Sequence, residues 1–137
     1  TKLNEDIAVV EQSLARACIA GDPFERFYQI FLSADPQIKP MFEETDFNKQ
    51  NKLLKAGLAN LILFAQDSDY GKLKVDEIGI SHSKRQLDIK PELYSIWLNS
   101  LLKAIAEFDP KYNEELSQAW TRVLSSGIEK IIDAYGP

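Results

Sequence analysis

Apolar residues recur at helical spacing along almost the whole chain, and this periodicity limits the fold more than any other feature of the sequence. The clearest stripe lies between Leu116 and Ile132, where apolar residues three and four positions apart follow one another without a gap. No segment shows the strict alternation of apolar and polar residues that is typical of a half-buried strand. The sequence therefore predicts one all-α domain of six to eight helices over residues 1–137.

Side-chain caps predict where several helices begin. Asp22 followed by Pro23 is a typical helix start, and Asp46 stands before a long amphipathic segment. The same logic predicts helix starts near Asp88 and at Asp109. Each of these residues can accept a hydrogen bond from a free backbone N–H of the first turn.

Prolines, glycine and polar stretches predict the breaks. The first helix runs from near Asn4 to Gly21, and the two prolines Pro36 and Pro40 allow little more than a corner between them. The polar stretch "DSDYGK" predicts a break before a short helix that ends at His82.

Composition excludes several classes of function. The net charge of −5 argues against nucleic acid as a partner, because a nucleic-acid surface needs a basic stripe. The lone Cys18 has no internal disulfide partner. No apolar run of membrane-spanning length and no signal segment is recognisable, so we expect no membrane association and a cytoplasmic location.

His82 is the only histidine of the chain. A lone histidine is most often an ordinary surface or core residue, so its type alone does not indicate a site. Its place does draw attention, because it closes a short helix and precedes the basic pair Lys84 and Arg85. Such a position can present an imidazole toward the interior.

Residues 27–42, "FYQIFLSADPQIKPMF", resemble the second helix and following corner of single-domain bacterial haemoglobins and flavohaemoglobins, which are bacterial globins. Tyr28 matches the distal tyrosine of these proteins, and Phe42 matches the corner phenylalanine that stacks on the haem. His82 matches the proximal histidine. "LYSIWLNSLLKAI" and the pair Ala119 and Trp120 are similar to the last two helices, so the resemblance covers nearly the whole chain.

The resemblance also assigns the helix that starts near Asp46. It places Gln50 and Leu54 where these globins carry the distal glutamine and a pocket leucine. Residues four apart share a helical face, so Gln50 would put a polar group on an otherwise apolar stripe. A different threading of the corner would bring Asn51 or Lys52 to the distal position instead.

The resemblance implies a globin fold around a haem pocket, with haem b as the cofactor and His82 as the axial iron ligand. It implies reversible binding of dioxygen, and of carbon monoxide and nitric oxide, opposite that ligand. Tyr28 and Gln50 would donate hydrogen bonds to the gas and slow its release. Because no second histidine exists, a second imidazole cannot occupy the distal side.

The surroundings of the proximal histidine match these globins only in part. Tyr94 takes the place of a tyrosine that lies near the histidine, but the family's carboxylate is absent. Tyr135 stands at its position, and Glu129 and Asp133 fall on other faces. This departure argues against a peroxidase-like histidine that donates electrons strongly.

Two further proximal contacts are expected. The Nδ1–H of His82 would donate to the carbonyl of Ile78, one turn earlier. Lys84 and Arg85 would pair with the haem propionates, or they form no more than a solvated basic turn.

Three functions fit the resemblance, and a fourth stays open outside it. The first is dioxygen binding for storage or transport, and the second is nitric oxide dioxygenation with a separate reductase. The third is gas sensing through the last two helices. The alternative is a globin-like bundle that holds no haem and serves as an interaction module. The sequence does not determine the oligomeric state.

Overall fold

The computed structural model describes residues 2–137 and contains only helices and turns in that range. The elements in chain order are α1 (Lys2–Ala20), α2 (Pro23–Phe31), a short 3₁₀ helix (Lys39–Phe42), α3 (Phe47–Ala65), α4 (Asp69–His82), α5 (Leu93–Phe108) and α6 (Glu114–Asp133). The all-α prediction is therefore confirmed. Within residues 2–137, no helix combines the length and apolar character needed to cross a membrane.

Two predicted helix starts are confirmed by their hydrogen bonds. The carboxylate of Asp22 accepts from the N–H groups of Phe24 and Glu25, both at 3.1 Å, and Pro23 opens α2. The carboxylate of Asp46 accepts from the N–H of Asn48 at 3.0 Å at the start of α3. Each aspartate satisfies backbone donors that would otherwise lack an intrahelical partner.

Two other predicted starts are wrong. The helix α5 begins only at Leu93, and Asp88 lies five residues earlier in a loop with φ 52°. The start of α6 is capped by Asn113, whose side chain accepts from the N–H of Leu116 at 2.8 Å. Asp109 instead closes the end of α5. Both aspartates are used in contacts with distant parts of the chain, which local sequence does not reveal.

The predicted break before α4 is shorter than expected. The hydroxyl of Ser68 accepts from the N–H of Gly71 at 3.2 Å, so the helix begins at Asp69 and includes most of "DSDYGK". A serine cap three residues before a glycine is easily taken for a loop signal, because both residue types are common in turns.

Two glycines let α4 approach its neighbours closely. A Cβ atom at Gly71 would lie 2.5 Å from the backbone nitrogen of Phe64 in α3. A Cβ atom at Gly79 would lie 2.9 Å from the Cβ of Ala134, just after α6. His82 follows Gly79 by three residues, so these contacts fix where the histidine emerges.

The core lies where α5 crosses α1, α2 and α6. Its largest fully buried apolar side chains come from five parts of the chain: Phe27, Ile38, Leu58, Leu101, Ile105, Trp120 and Leu124. Burying these side chains is the main stabilising contribution to the fold.

A buried polar network ties α1 to the end of α5 and to α6. The carboxylate of Asp109 accepts from the hydroxyl of Ser13 at 2.6 Å and from the guanidinium of Arg16 at 2.7 and 3.0 Å. The indole N–H of Trp120 donates to the Ser13 oxygen at 3.0 Å. Burial raises the pKa of Asp109, but Arg16, Ser13 and the N–H of Lys111 outweigh it and bring the pKa to about 2.

Substitution of the two glycines Gly71 and Gly57 by alanine should have opposite effects on stability. At Gly71 the new methyl group meets backbone of α3, so we expect the free energy of unfolding to fall by about 2 kcal/mol. At Gly57, also in a helix, nothing lies within 4 Å of the new Cβ. Alanine should there raise the free energy of unfolding by about 0.5–1 kcal/mol. Urea denaturation measures both, and equal effects would contradict the close packing of α4.

The Asp109 network predicts a loss of stability in acid. Because the folded-state pKa of Asp109 lies below its ordinary value of 3.8, its contribution is complete above that value and disappears as the pH falls toward 2. In Asp109→Asn the free energy of unfolding should be lower at pH 7 and should fall less between pH 4 and pH 2. Parallel pH profiles for parent and variant would show that Asp109 is not stabilised as a carboxylate.

Candidate functional site

The imidazole of His82 is half-buried at the last residue of α4 and is held by a tyrosine. Its Nδ1 atom lies 3.2 Å from the hydroxyl oxygen of Tyr94, a buried residue in the first turn of α5. The expected partner, the carbonyl of Ile78, accepts from the hydroxyl of Ser81 instead. The expected Ile78 contact is therefore wrong, because a residue of another helix reaches the ring first.

Burial keeps both members of this pair neutral. It lowers the pKa of His82 and raises the pKa of Tyr94 to about 12. In the tautomer with the proton on Nδ1, the ring donates to the Tyr94 oxygen and keeps a lone pair on Nε2. No residue in 2–137 forms a hydrogen bond with Nε2. The imidazole is thus oriented by one nitrogen and able to bind a metal through the other.

The ring of Tyr28 lies in an aromatic cluster formed by α2, the 3₁₀ helix and the start of α3. Its ring centroid is 4.8 Å from that of Phe27, 5.8 Å from that of Phe42 and 5.4 Å from that of Phe47. Tyr28 is buried, whereas Phe42 and Phe47 are only partly covered. The sequence resemblance named Tyr28 and Phe42 for the same site, and the structure brings the two together.

Gln50 is the polar neighbour of Tyr28. Burial raises the pKa of Tyr28, and a side-chain hydrogen bond with Gln50 partly offsets that rise. Leu54, one turn later on α3, is buried, while Lys52 is exposed. The Oδ1 atom of Asn51 is buried without a hydrogen-bond partner, which adds a third polar group to this part of α3. Of the three residues considered for the distal position, Gln50 is the one that contacts Tyr28.

The helix α5 connects the histidine to the aromatic cluster. Tyr94 contacts His82, and Trp97, three residues later on a neighbouring part of the same face, has its ring 5.9 Å from that of Phe27. Sequence reasoning did not single out Trp97 for the site, because an aromatic residue on an apolar helix face indicates only a core position. His82 and Tyr28 therefore border the same stretch of α5.

Apolar side chains beside the site remain open to solvent. Leu53, three residues after Gln50, and Leu87, five residues after His82, are each 63% exposed. Met41, next to Phe42, is 41% exposed. These exposed apolar side chains are close in sequence to the site residues, and a flat, largely apolar cofactor could cover them.

The loop after His82 carries the remaining predicted residues. Lys84 and Arg85 are exposed, and the backbone N–H of Lys84 donates to the carbonyl of Tyr135 at 2.9 Å. The hydroxyl of Tyr135 donates to the carboxylate of Asp88 at 2.5 Å, which raises the pKa of Tyr135. These long-range contacts of Tyr135 carry no local sequence signal.

A family model and a solved structure both match this chain. The family model described as Globin matches residues 25–131. Among solved structures, the crystal structure of protein PA3967 from Pseudomonas aeruginosa PAO1, described as structurally highly homologous to a human hemoglobin, is similar to this chain. The two share 40% sequence identity with a TM-score of 0.92, over 96% of this chain and 99% of that chain. No curated protein matches the sequence.

Proposed function

Because the chain belongs to the globin family, whose members bind haem, we propose that it holds haem b through His82 and binds dioxygen reversibly. The observation that carries this proposal is the orientation of His82. Its Nδ1 atom is engaged by Tyr94 at 3.2 Å, and the Nε2 atom has no partner among the described residues. A neutral imidazole fixed in this way is the usual axial ligand of a globin haem.

The residues around His82 fit such a cofactor. Phe42 would stack on the ring system, and Leu54 would close the pocket on the side of α3. Lys84 and Arg85 would hold the propionates through charge-assisted hydrogen bonds. The exposed side chains of Leu53 and Leu87 would lose contact with water when haem binds, which favours binding by the hydrophobic effect.

When bound, haem supplies an iron that takes up a diatomic gas on the side opposite His82. Tyr28 is the donor that this chain offers to the gas. Gln50 lies beside Tyr28 as a side-chain hydrogen-bond partner, and the Tyr28 hydroxyl carries a hydrogen that it can donate. Burial strengthens that donated bond because little water competes with it. The arrangement favours slow release of dioxygen, and carbon monoxide and nitric oxide are further expected ligands.

Substitution of His82 by alanine should abolish specific haem binding, because no second histidine can replace the lost ligand. The measurement is the Soret absorbance of the purified protein and of protein reconstituted with haemin. Ser95→Ala, an exposed change on α5, is the matched control and should bind haem like the parent. A normal spectrum in His82→Ala would contradict the assignment of the axial ligand.

Substitution of Tyr28 by phenylalanine should speed dioxygen dissociation about tenfold or more, because one hydrogen bond to a partly charged ligand is lost. Gln50→Leu should have a smaller effect if Gln50, the side-chain partner of Tyr28, acts only through that tyrosine. The double variant should then behave like Tyr28→Phe alone. Stopped-flow dissociation measures these rates, with Tyr112→Phe as a control outside the cluster. Additive effects would show that the two residues act independently.

A further inference from the structure

The loop that follows His82 folds back onto the last turn of α4. Three consecutive N–H groups of this loop donate to carbonyls of that turn. Leu87 donates to Ser81 at 3.1 Å, Asp88 to Ser83 at 2.9 Å and Ile89 to His82 at 3.0 Å. The carbonyls at the end of a helix lack intrahelical partners, so this loop completes the end of α4. The backbone of His82 is therefore held by the residues on either side of Asp88.

Asp88 itself sits in a conformation that needs support. Its φ angle of 52° lies in the left-handed region, which non-glycine residues adopt only at some cost. Its side chain accepts the hydroxyl hydrogen bond of Tyr135 at 2.5 Å. A hydrogen bond to a carboxylate is among the stronger ones, so it offsets part of that cost.

Tyr135 contacts the same loop at a second point. Its carbonyl accepts from the N–H of Lys84 at 2.9 Å, while its own N–H donates to the carbonyl of Ile132 at 3.0 Å. Tyr135 thus joins the end of α6 to the loop at two residues, Lys84 and Asp88. It does not contact the imidazole, which is bonded to Tyr94.

We infer that Tyr135 is a positioning residue for His82, which anchors the loop through Asp88 and Lys84 and so fixes the end of α4 from which the imidazole projects. The inference rests on the proposed role of His82 as the haem ligand. Tyr94 orients the ring, and Tyr135 fixes the backbone that carries it.

Tyr135→Phe keeps the ring and the carbonyl contact and removes only the bond to Asp88. In the haem-loaded full chain, we expect the Ile89 amide to exchange with solvent about tenfold faster, the order expected when one bond to a carboxylate is lost. Resonance Raman spectroscopy of the ferrous protein should show a shifted iron–histidine stretching band. Tyr70→Phe, an exposed change near the start of α4, should alter neither signal.

Variants of Asp88 test the same bond from the other side. Asp88→Ala should accelerate Ile89 exchange at least as much as Tyr135→Phe, because it removes the acceptor and also a residue type that tolerates positive φ. Adding Tyr135→Phe to Asp88→Ala should cause no further change. Asp88→Asn keeps an acceptor oxygen and is a residue type that tolerates positive φ. Its Ile89 exchange rate and iron–histidine stretching band should therefore stay close to those of the parent.

Three results would overturn the inference. An unchanged Ile89 amide would mean that Tyr135 does not anchor the loop. Equal acceleration at Ile89 and at Val10 in α1 would mean that Tyr135 stabilises the whole fold. Faster exchange at Ile89 with an unchanged stretching band would mean that the loop does not position His82. Failure of the proposed function has a different signature, because the parent would then lack a Soret band and the inference would fail with it.

Discussion

The close approach of α4 to α3 and α6 determines where the rest of the site lies. The buried residues of α4 are Gly71, Val75 and Gly79, spaced four apart on one stripe, and the larger apolar residues Leu73 and Ile80 stay exposed. An ordinary amphipathic helix is held by bulky side chains. Here two glycines let the helix backbone contact its neighbours directly. His82 follows this stripe by one turn. The close packing of the stripe therefore fixes the position of the last turn of α4, which carries the imidazole.

The helix α5 then relates the two sides of the site to each other. Its first turns carry Tyr94, which contacts His82, and Trp97, which packs against Phe27 next to the distal Tyr28. A rigid helix holds residues three apart at a nearly constant separation. Tyr94 and Trp97 therefore relate the His82 side of the site to the side formed by Phe27 and Tyr28. At its other end α5 is tied to α1 and α6 by Asp109, Arg16, Ser13 and Trp120, which fixes its direction.

The sequence predicts the features that local chemistry encodes and misses those that depend on distant contacts. Asp22 and Asp46 were recognised as caps because the donors that they satisfy lie within three residues. Asp88 and Asp109 are the same residue type before similar helices, yet their partners are Tyr135, Arg16 and Ser13, between 47 and 96 residues away. The partner of His82 was misjudged for the same reason, since Tyr94 belongs to another helix. The resemblance to bacterial globins did supply Tyr28, Phe42 and Gln50 as neighbours, which periodicity alone would not.

Among residues 2–137, the hydrogen-bond partner of the His82 ring is the hydroxyl group of Tyr94 and not a carboxylate. A carboxylate acceptor pulls on the Nδ1 proton and makes the imidazole more basic, whereas a neutral hydroxyl group does so far less. Tyr94 is neutral, with a pKa of about 12, and the carboxylate of Asp88 is engaged by Tyr135. On the proposed function, the proximal side then contributes a well-oriented but weakly activated ligand. Control over how long a gas stays bound falls to the buried Tyr28 and to its neighbour Gln50. This division suits reversible binding better than cleavage of the bond between two oxygen atoms, which strong donation from the axial ligand promotes.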